Sequence, residues 1–240
     1  MICRLTLLVY RCACFLDLMS SPPALAPQLG RPQLLAGEDL PPLPQQERSR
    51  LKREALLQAG LQLFQEAGYD ATTIEAVAQR AGVALGGFYQ HFRSKRQLLL
   101  VLMDRLVQEI EQIDLRLEFG ADAEPQEVLE RLVRFSLSLD LAYAGVHRAW
   151  GEVIIHDSEL AAYQSEIEQW TAGLAHGLMQ GIALLPGARD GLDLQTLSWI
   201  VTLLFWKLAA QVAASPAPVD VEAVVHGLVH LVYHALFQDR

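Results

Sequence analysis

Residues 72–95 read TTIEAVAQRAGVALGGFYQHFRSK. Thr72 is followed three residues later by Glu75, the spacing of a capping box, in which a hydroxyl takes an orphan amide and a carboxylate reaches back. Ile74, Val77, Ala78 and Ala81 then recur at i, i+3, i+4 and i+7, one face of a helix. Gly82 suits its end, because a left-handed residue after a helix is cheapest as glycine. A second short helix is predicted from about Ala84 to Phe92. Ser94 with Gln97 forms another capping box and opens a longer helix. A helix, a glycine-containing turn and a second helix make a helix-turn-helix, whose second helix fits the major groove of DNA.

The residue choices favour DNA over a plain helical hairpin. Gly86 and Gly87 each cost roughly 1 kcal/mol relative to Ala inside a helix, so they suit a surface that another backbone approaches closely. Thr73, Tyr89, His91 and Lys95 can donate hydrogen bonds to phosphate oxygens. Lys95 lies in the first turn of the next helix, where free amides and the positive dipole end also attract phosphate.

The run from about Arg53 to Leu100 resembles the tetracycline-repressor (TetR) family of transcriptional regulators. The resemblance is carried by Leu56-Leu57, Ala59, Leu63-Phe64, Gly68-Tyr69, Thr72-Thr73-Ile74, Ala78, Ala81-Gly82-Val83, Gly86, Phe88-Tyr89, His91-Phe92 and Ser94-Lys95. It implies an all-α protein with an N-terminal three-helix DNA-binding head, a larger helical ligand-binding and dimerisation domain, and a homodimer. By the same resemblance Thr73, Tyr89, His91 and Lys95 hold the DNA backbone, and Thr72 and Arg50 are expected to join them. Ala84, Leu85, Gly87 and Gln90 lie nearer the base edges. Two departures bear on that surface. Members usually carry Ser or Thr where this chain has Ala84, so the second helix lacks its usual cap at a cost of ~1 kcal/mol. Leu85 stands where many members carry a basic or polar residue. Gln90 can pair with adenine and Leu85 can touch a thymine methyl, which leaves the operator sequence unspecified.

Charge is distributed in keeping with this reading. The chain of 240 residues has a net charge of −9. Residues 48–100 hold eight basic and four acidic side chains, whereas residues 101–240 hold eight basic and twenty acidic ones. A basic head on an acidic body presents one face to phosphate and repels it elsewhere. Uneven charge on solvated helices would look similar, so the asymmetry supports the motif rather than standing alone.

Residues 1–46 are expected to be a tail outside the fold, ahead of a DNA-binding unit at 47–108 and an effector-binding and dimerisation unit at 109–240. Seven prolines between Pro22 and Pro44 argue against helix there. Arg11 interrupts the apolar start, so a secretory signal is not expected, and Met19 is the plainer translation start. Cys3, Cys12 and Cys14 all lie in this tail, which leaves no disulfide framework or cysteine zinc site for the rest. The first helix, about Arg48–Ala67, crowds Arg48, Arg50, Lys52 and Arg53 at its N-terminal end, against the helix dipole. Phosphate contact and plain solvation explain that equally well.

A fourth helix is predicted from Gln97 to about Glu118, linking head and body. Further helices follow from Pro125 to about Tyr143, Val146 to Ile155, Ser158 to Gln180, Asp193 to Ala214 and Val219 to Phe237. The Asp193–Ala214 helix is apolar nearly all round, which predicts burial on every side. One side packs on its own protomer. The other, through Trp199, Leu203, Trp206 and Ala210, packs on a twofold mate, joined by Val225 and Val232 of the last helix. Gln195, Thr196, Lys207 and Gln211 argue against a membrane span. His226, His230 and His234 stand one turn apart, but three such residues span ~12 Å of helix, too far for one ion. No metal or cofactor is therefore expected.

An effector pocket is expected around His147, Trp150, His156, Tyr163 and Trp170, since pockets are mostly apolar with a few placed polar groups; these residue types also suit an ordinary core. No nucleophile elbow, phosphate loop, H-E-x-x-H or paired-carboxylate motif points to an enzyme. The expected protein is a cytoplasmic regulator that binds a palindromic double-stranded DNA operator and is released by a small, fairly apolar effector. The alternative is an architectural DNA-binding protein of the same fold without an effector.

Overall fold

The computed structural model describes residues 30–112, 124–185, 187–214 and 219–237. Among them are nine helices and no strand beyond a single antiparallel bridge between Ala188 and Phe237. The helices are α1 Glu47–Ala71, α2 Ile74–Arg80, α3 Leu85–Tyr89, α4 Lys95–Glu111, α5 Pro125–Ala142, α6 Ala144–Val153, α7 Ser158–Ile182, α8 Leu194–Ala214 and α9 Val221–Leu236. The all-α expectation holds. The cysteines, Met19 and the break at 215–218 lie outside the described residues, as does the expected continuation of α4 beyond residue 112.

The head is α1–α3 with the start of α4, closed on Leu56, Leu57, Phe64, Val77, Phe88, Phe92 and Leu98, all fully buried. Its core runs on without a break into the body through Val146, Ala149, Trp150, Leu160 and Trp170. A second apolar cluster, built on Leu137, Met179, Val225, Val229 and Val232, holds α5, α7, α8 and α9 together.

Close backbone contact joins α6 to α1. A Cβ on Gly145 would stand 2.0 Å from the Leu61 carbonyl oxygen, so only glycine lets the helices meet. Gly68 breaks α1 at φ +81°, and there the body reaches in: Glu152 of α6 accepts from the Tyr69 amide at 2.6 Å and the Asp70 amide at 3.3 Å. Arg148 donates to the Gln65 carbonyl at 2.8 Å. Arg96, at the start of α4, pairs with Asp157 at 2.8 Å and Glu159 at 2.5 Å, both at the N-terminus of α7.

Residues 30–46 are not a tail outside the fold. They form a strap antiparallel to α4. Arg31 pairs with the buried Asp104 at 2.6 Å and with Glu111 at 3.2 Å. Leu34 is fully buried, with Leu35 and Leu40 packed beside it. Glu38 meets Arg96 at 2.6 Å, and the Asp39 carbonyl accepts from Arg93 at 2.8 Å. Proline excludes helix from this stretch, but it does not exclude packing of single residues onto a neighbour.

Within the single chain α8 is covered along part of its circumference only. Trp199 is 54% exposed and Ile200 49%, so the helix has an outward side. No helix among the described residues is long and apolar enough to cross a membrane.

Candidate nucleic-acid interface and effector cavity

The helix-turn-helix is built by local bonds. α2 is capped by Thr73, whose hydroxyl accepts from the Ala76 amide at 3.1 Å. That is one residue later than the expected cap at Thr72. Gly82 takes φ +65°, and the Val83 amide bonds back to the Ala78 carbonyl at 2.9 Å, the closure of a Schellman-type end. Ala84 starts α3 without a side-chain cap. Phe88 and Phe92, with ring centroids 5.7 Å apart, anchor α3 to the head. Ser94 caps α4 by accepting from the Gln97 amide at 3.1 Å, while the Gln97 side chain accepts from the Arg93 amide at 2.9 Å.

This anchoring turns Ala84, Leu85, Gly86, Tyr89 and Gln90 outward. Leu85 is 42% exposed and Tyr89 49%. Of the four positions expected near base edges, Ala84, Leu85 and Gln90 are exposed. Gly87 is only part-exposed, and its reason is internal: a Cβ there would stand 2.5 Å from Val83 Cγ1. Nothing lies within 4 Å of a Cβ built on Gly86, which makes it the glycine open to close approach from outside.

The six residues expected on the DNA backbone divide in two. Thr73, Tyr89 and Arg50 are exposed. Thr72, His91 and Lys95 are turned inward. Thr72 is buried and donates to the Gly68 carbonyl at 2.6 Å. Lys95 donates to the carbonyls of Tyr69 at 2.5 Å and Thr72 at 2.7 Å, with its ammonium over the Tyr69 ring. Burial lowers its pKa, against the attraction of Asp70 and Glu152. Lys95 thus ties the α1–α2 turn to α4 and shapes the face rather than projecting from it. His91 is buried, and its Nε2 has no hydrogen-bond partner. Desolvation lowers its pKa, and the charges of Arg53 and Lys52 lower it further. Lys52 is exposed at this edge of the head. The sequence showed it as one of four crowded cations, with nothing in the spacing to single it out.

The body holds a cavity of about 270 Å³ between α5, α7 and α8, reaching the last turn of α4 at Ile110 and Glu111. Its lining is mostly apolar, including Leu129, Phe135, Leu139, Leu174, Leu178, Met179, Phe205 and Trp206, with Asp140 and Thr171 among the polar members. None of the five residues expected to form a pocket lines it. Trp150 and Trp170 are buried in the core that joins head and body. His156 is exposed, and Tyr163 bonds Glu159 at 3.3 Å. His147 comes nearest: its Nε2 lies 3.0 Å from Asp140 Oδ1, and its ring meets Trp206 edge-on at 5.2 Å.

The expected dimer residues also divide. Trp199 is exposed, while Leu203 and Ala210 are half-buried. Trp206 faces the cavity, and Val225 and Val232 are buried in their own protomer's core. The outward side of α9 instead carries His226, His230 and Leu231. Among the described residues no group of three His, Cys, Asp or Glu side chains is placed to hold a metal ion.

Residues 56–102 match the family model of bacterial regulatory proteins, tetR family. The chain is 43% identical over 49 residues to the uncharacterized HTH-type transcriptional regulator YerO of Bacillus subtilis, covering 20% of this chain and 17% of YerO. It is 39% identical over 98 residues to the HTH-type transcriptional repressor KstR of Rhodococcus jostii, covering 41% of this chain and 42% of KstR. The chain therefore spans less than half the length of these two relatives. The fold matches further. The crystal structure of NalD, the secondary repressor of the MexAB-OprM multidrug efflux pump in Pseudomonas aeruginosa, superposes with a TM-score of 0.56 at 22% identity, covering 80% of this chain and all of NalD. These relatives are named as transcriptional regulators or repressors. The helix-turn-helix head, residues 56–102, is thus similar to the tetR family of bacterial regulatory proteins, and the helical body is similar in fold to a solved regulator.

Proposed function

We propose that this protein is a sequence-specific repressor that binds a palindromic operator as a homodimer and is released by a small, fairly apolar effector held in the body cavity. The observation that carries the reading is the position of α4. Its first turn follows the recognition helix and its last turn lines the cavity. At 1.5 Å per residue its seventeen residues span roughly 25 Å of rigid helix. A ligand that displaces Ile110 or Glu111 moves the lever to which the head is attached.

In this reading Leu85, Gly86 and Gln90 face the base edges, and Thr73, Tyr89, Arg50 and Lys52 meet phosphates. The outward sides of α8 and α9 pair with a twofold mate. Two heads about 34–36 Å apart then read successive major-groove faces. The effector acts by its differential affinity for the conformation in which that spacing is lost. The cavity favours this over an architectural protein without an effector.

Selection of genomic fragments by the purified protein across a range of salt concentrations tests the reading. Enrichment of one short palindrome, with affinity falling steeply in salt, is expected. Weak binding indifferent to sequence would instead mean that Ala84, Leu85 and Gly86 leave the head unable to discriminate.

A further inference from the structure

This inference rests on the cavity being the effector site, and it concerns what that effector carries. Among the described residues lining the cavity, the only ionisable side chains are Glu111 and Asp140; no Lys, Arg or His is among them. Glu111 is half-exposed, and its carboxylate lies 3.2 Å from Arg31 of the strap, so its charge is answered from outside. Asp140 is different. It is buried, and its side chain is 8% exposed. His147 bonds it from behind and does not line the cavity, so the side of the pair turned toward a ligand is the carboxylate.

Three of the cations on neighbouring elements are already paired with carboxylates. Arg105 forks onto Glu54 at 2.7 and 2.8 Å, Arg134 joins Glu130 and Glu222, and Arg31 joins Asp104. A carboxylate ligand entering this box would lose its hydration and meet a like charge in a medium of low dielectric. A cationic ligand would meet a charge of opposite sign there. The hydroxyls of Ser136, Thr171 and Thr202 can accept or donate, and so do not choose a sign.

We propose that the cavity selects lipophilic cations, an alkyl or aryl body carrying an ammonium group, and disfavours carboxylates, with Asp140 as the residue that reads the charge. The apolar walls supply affinity for the body of the ligand. The carboxylate supplies the discrimination.

Three probes that share a ten-carbon chain test this on the full chain: decyltrimethylammonium, 1-decanol and decanoate, each below its micelle concentration and read by calorimetry near neutral pH. The cation is expected to bind about tenfold or more tighter than the alcohol, and decanoate weakest. Asp140→Asn, which can still bond His147, is expected to bring the cation to within about threefold of the alcohol while leaving the alcohol's own affinity unchanged. Leu174→Trp, which fills the cavity, is expected to abolish binding of all three. The proposal is overturned if decanoate binds as tightly as the cation, if the ranking survives Asp140→Asn, or if the cation still binds the filled variant. The ranking in the unaltered chain decides the matter even if Asp140→Asn fails to fold. Tight binding of the alcohol without preference for the cation would leave the effector cavity standing and remove only the charge selection. Failure of every probe to bind would remove both.

Discussion

His91 sits behind the recognition helix with a buried, unpartnered Nε2, and desolvation, with the nearby charges of Arg53 and Lys52, depresses its pKa. The unfolded chain takes up this proton at about pH 6.5, whereas the folded chain resists it. Below that pH the unfolded state therefore binds more protons, and stability falls as pH falls through the interval between the two values. The urea midpoint is expected to drop between about pH 7 and pH 5.5, and His91→Phe should flatten that slope; an unchanged slope would assign it to another group. Gly145 gives a prediction that is independent of pH. Gly145→Ala forces a methyl group against the Leu61 carbonyl oxygen, an overpacking expected to cost about 1–3 kcal/mol and to lower the melting temperature by several degrees. At this scale the sequence announced residue types better than directions. It placed Thr72, His91 and Lys95 among the residues holding the DNA backbone, and all three are turned inward. The capping-box pattern fits Thr72 with Glu75, but the neighbouring Thr73 competes for the same role, and the winner is fixed by where Gly68 turns the chain. Gly87 and Gly86 look alike in sequence. Only the position of Val83 separates the glycine needed for packing from the one left open.

The strap is the element that composition concealed. Its prolines marked it correctly as non-helical, but its hold on the fold comes from single residues without a period: Leu34, Arg31 and Glu38. Periodicity reports faces of regular elements, and a strap presents none. Leu34 is fully buried against the head–body core, and replacing a buried Leu by Ala costs about 2–5 kcal/mol when the site cannot collapse. The measurable loss is capped by the free energy of undocking the strap, because a local element can open without global unfolding. Leu34→Ala is therefore expected to raise the rate of protease cleavage between residues 30 and 46 by more than tenfold, with a smaller change in the global melting temperature. Equal changes in both would show that the strap and the core unfold together. The helices of the head were legible for the opposite reason: short, capped and glycine-stopped, they are specified locally. In the body, helix positions were legible from apolar period and breakers. The cavity was not, since it is lined mainly by Leu, Phe, Val and Met, the same residues that fill a core. Trp150 and Trp170, the conspicuous candidates, went to the core.

At the scale of the whole molecule, the ambiguity lies in which arc of a helix faces its own protomer. A helical wheel of α8 or α9 shows two apolar arcs and does not label them. Trp206, Val225 and Val232 belong to the inner arcs, whereas Trp199, Ile200 and Leu231 are 54%, 49% and 50% exposed. Large apolar side chains left this open on the last two helices fit a surface that a second copy covers, and burying each contributes about 1.5–3 kcal/mol if burial is complete. Trp199→Glu together with Leu231→Glu is expected to convert the protein to a monomer in sedimentation while its helical content and melting of the head are retained. If the two heads must be held together to read a palindrome, the same variant should lose affinity for the full site by more than tenfold yet bind a single half-site as the unaltered protein does. The salt slope carries the second half of the argument. Each phosphate neutralised contributes about −0.9 to the slope of log affinity against log salt. The monomer should therefore show roughly half the slope of the dimer on the same DNA. A monomer with the full slope would mean that one head, with its cations Arg50 and Lys52, makes all the phosphate contacts, and that the outward arcs of α8 and α9 serve some purpose other than spacing two heads.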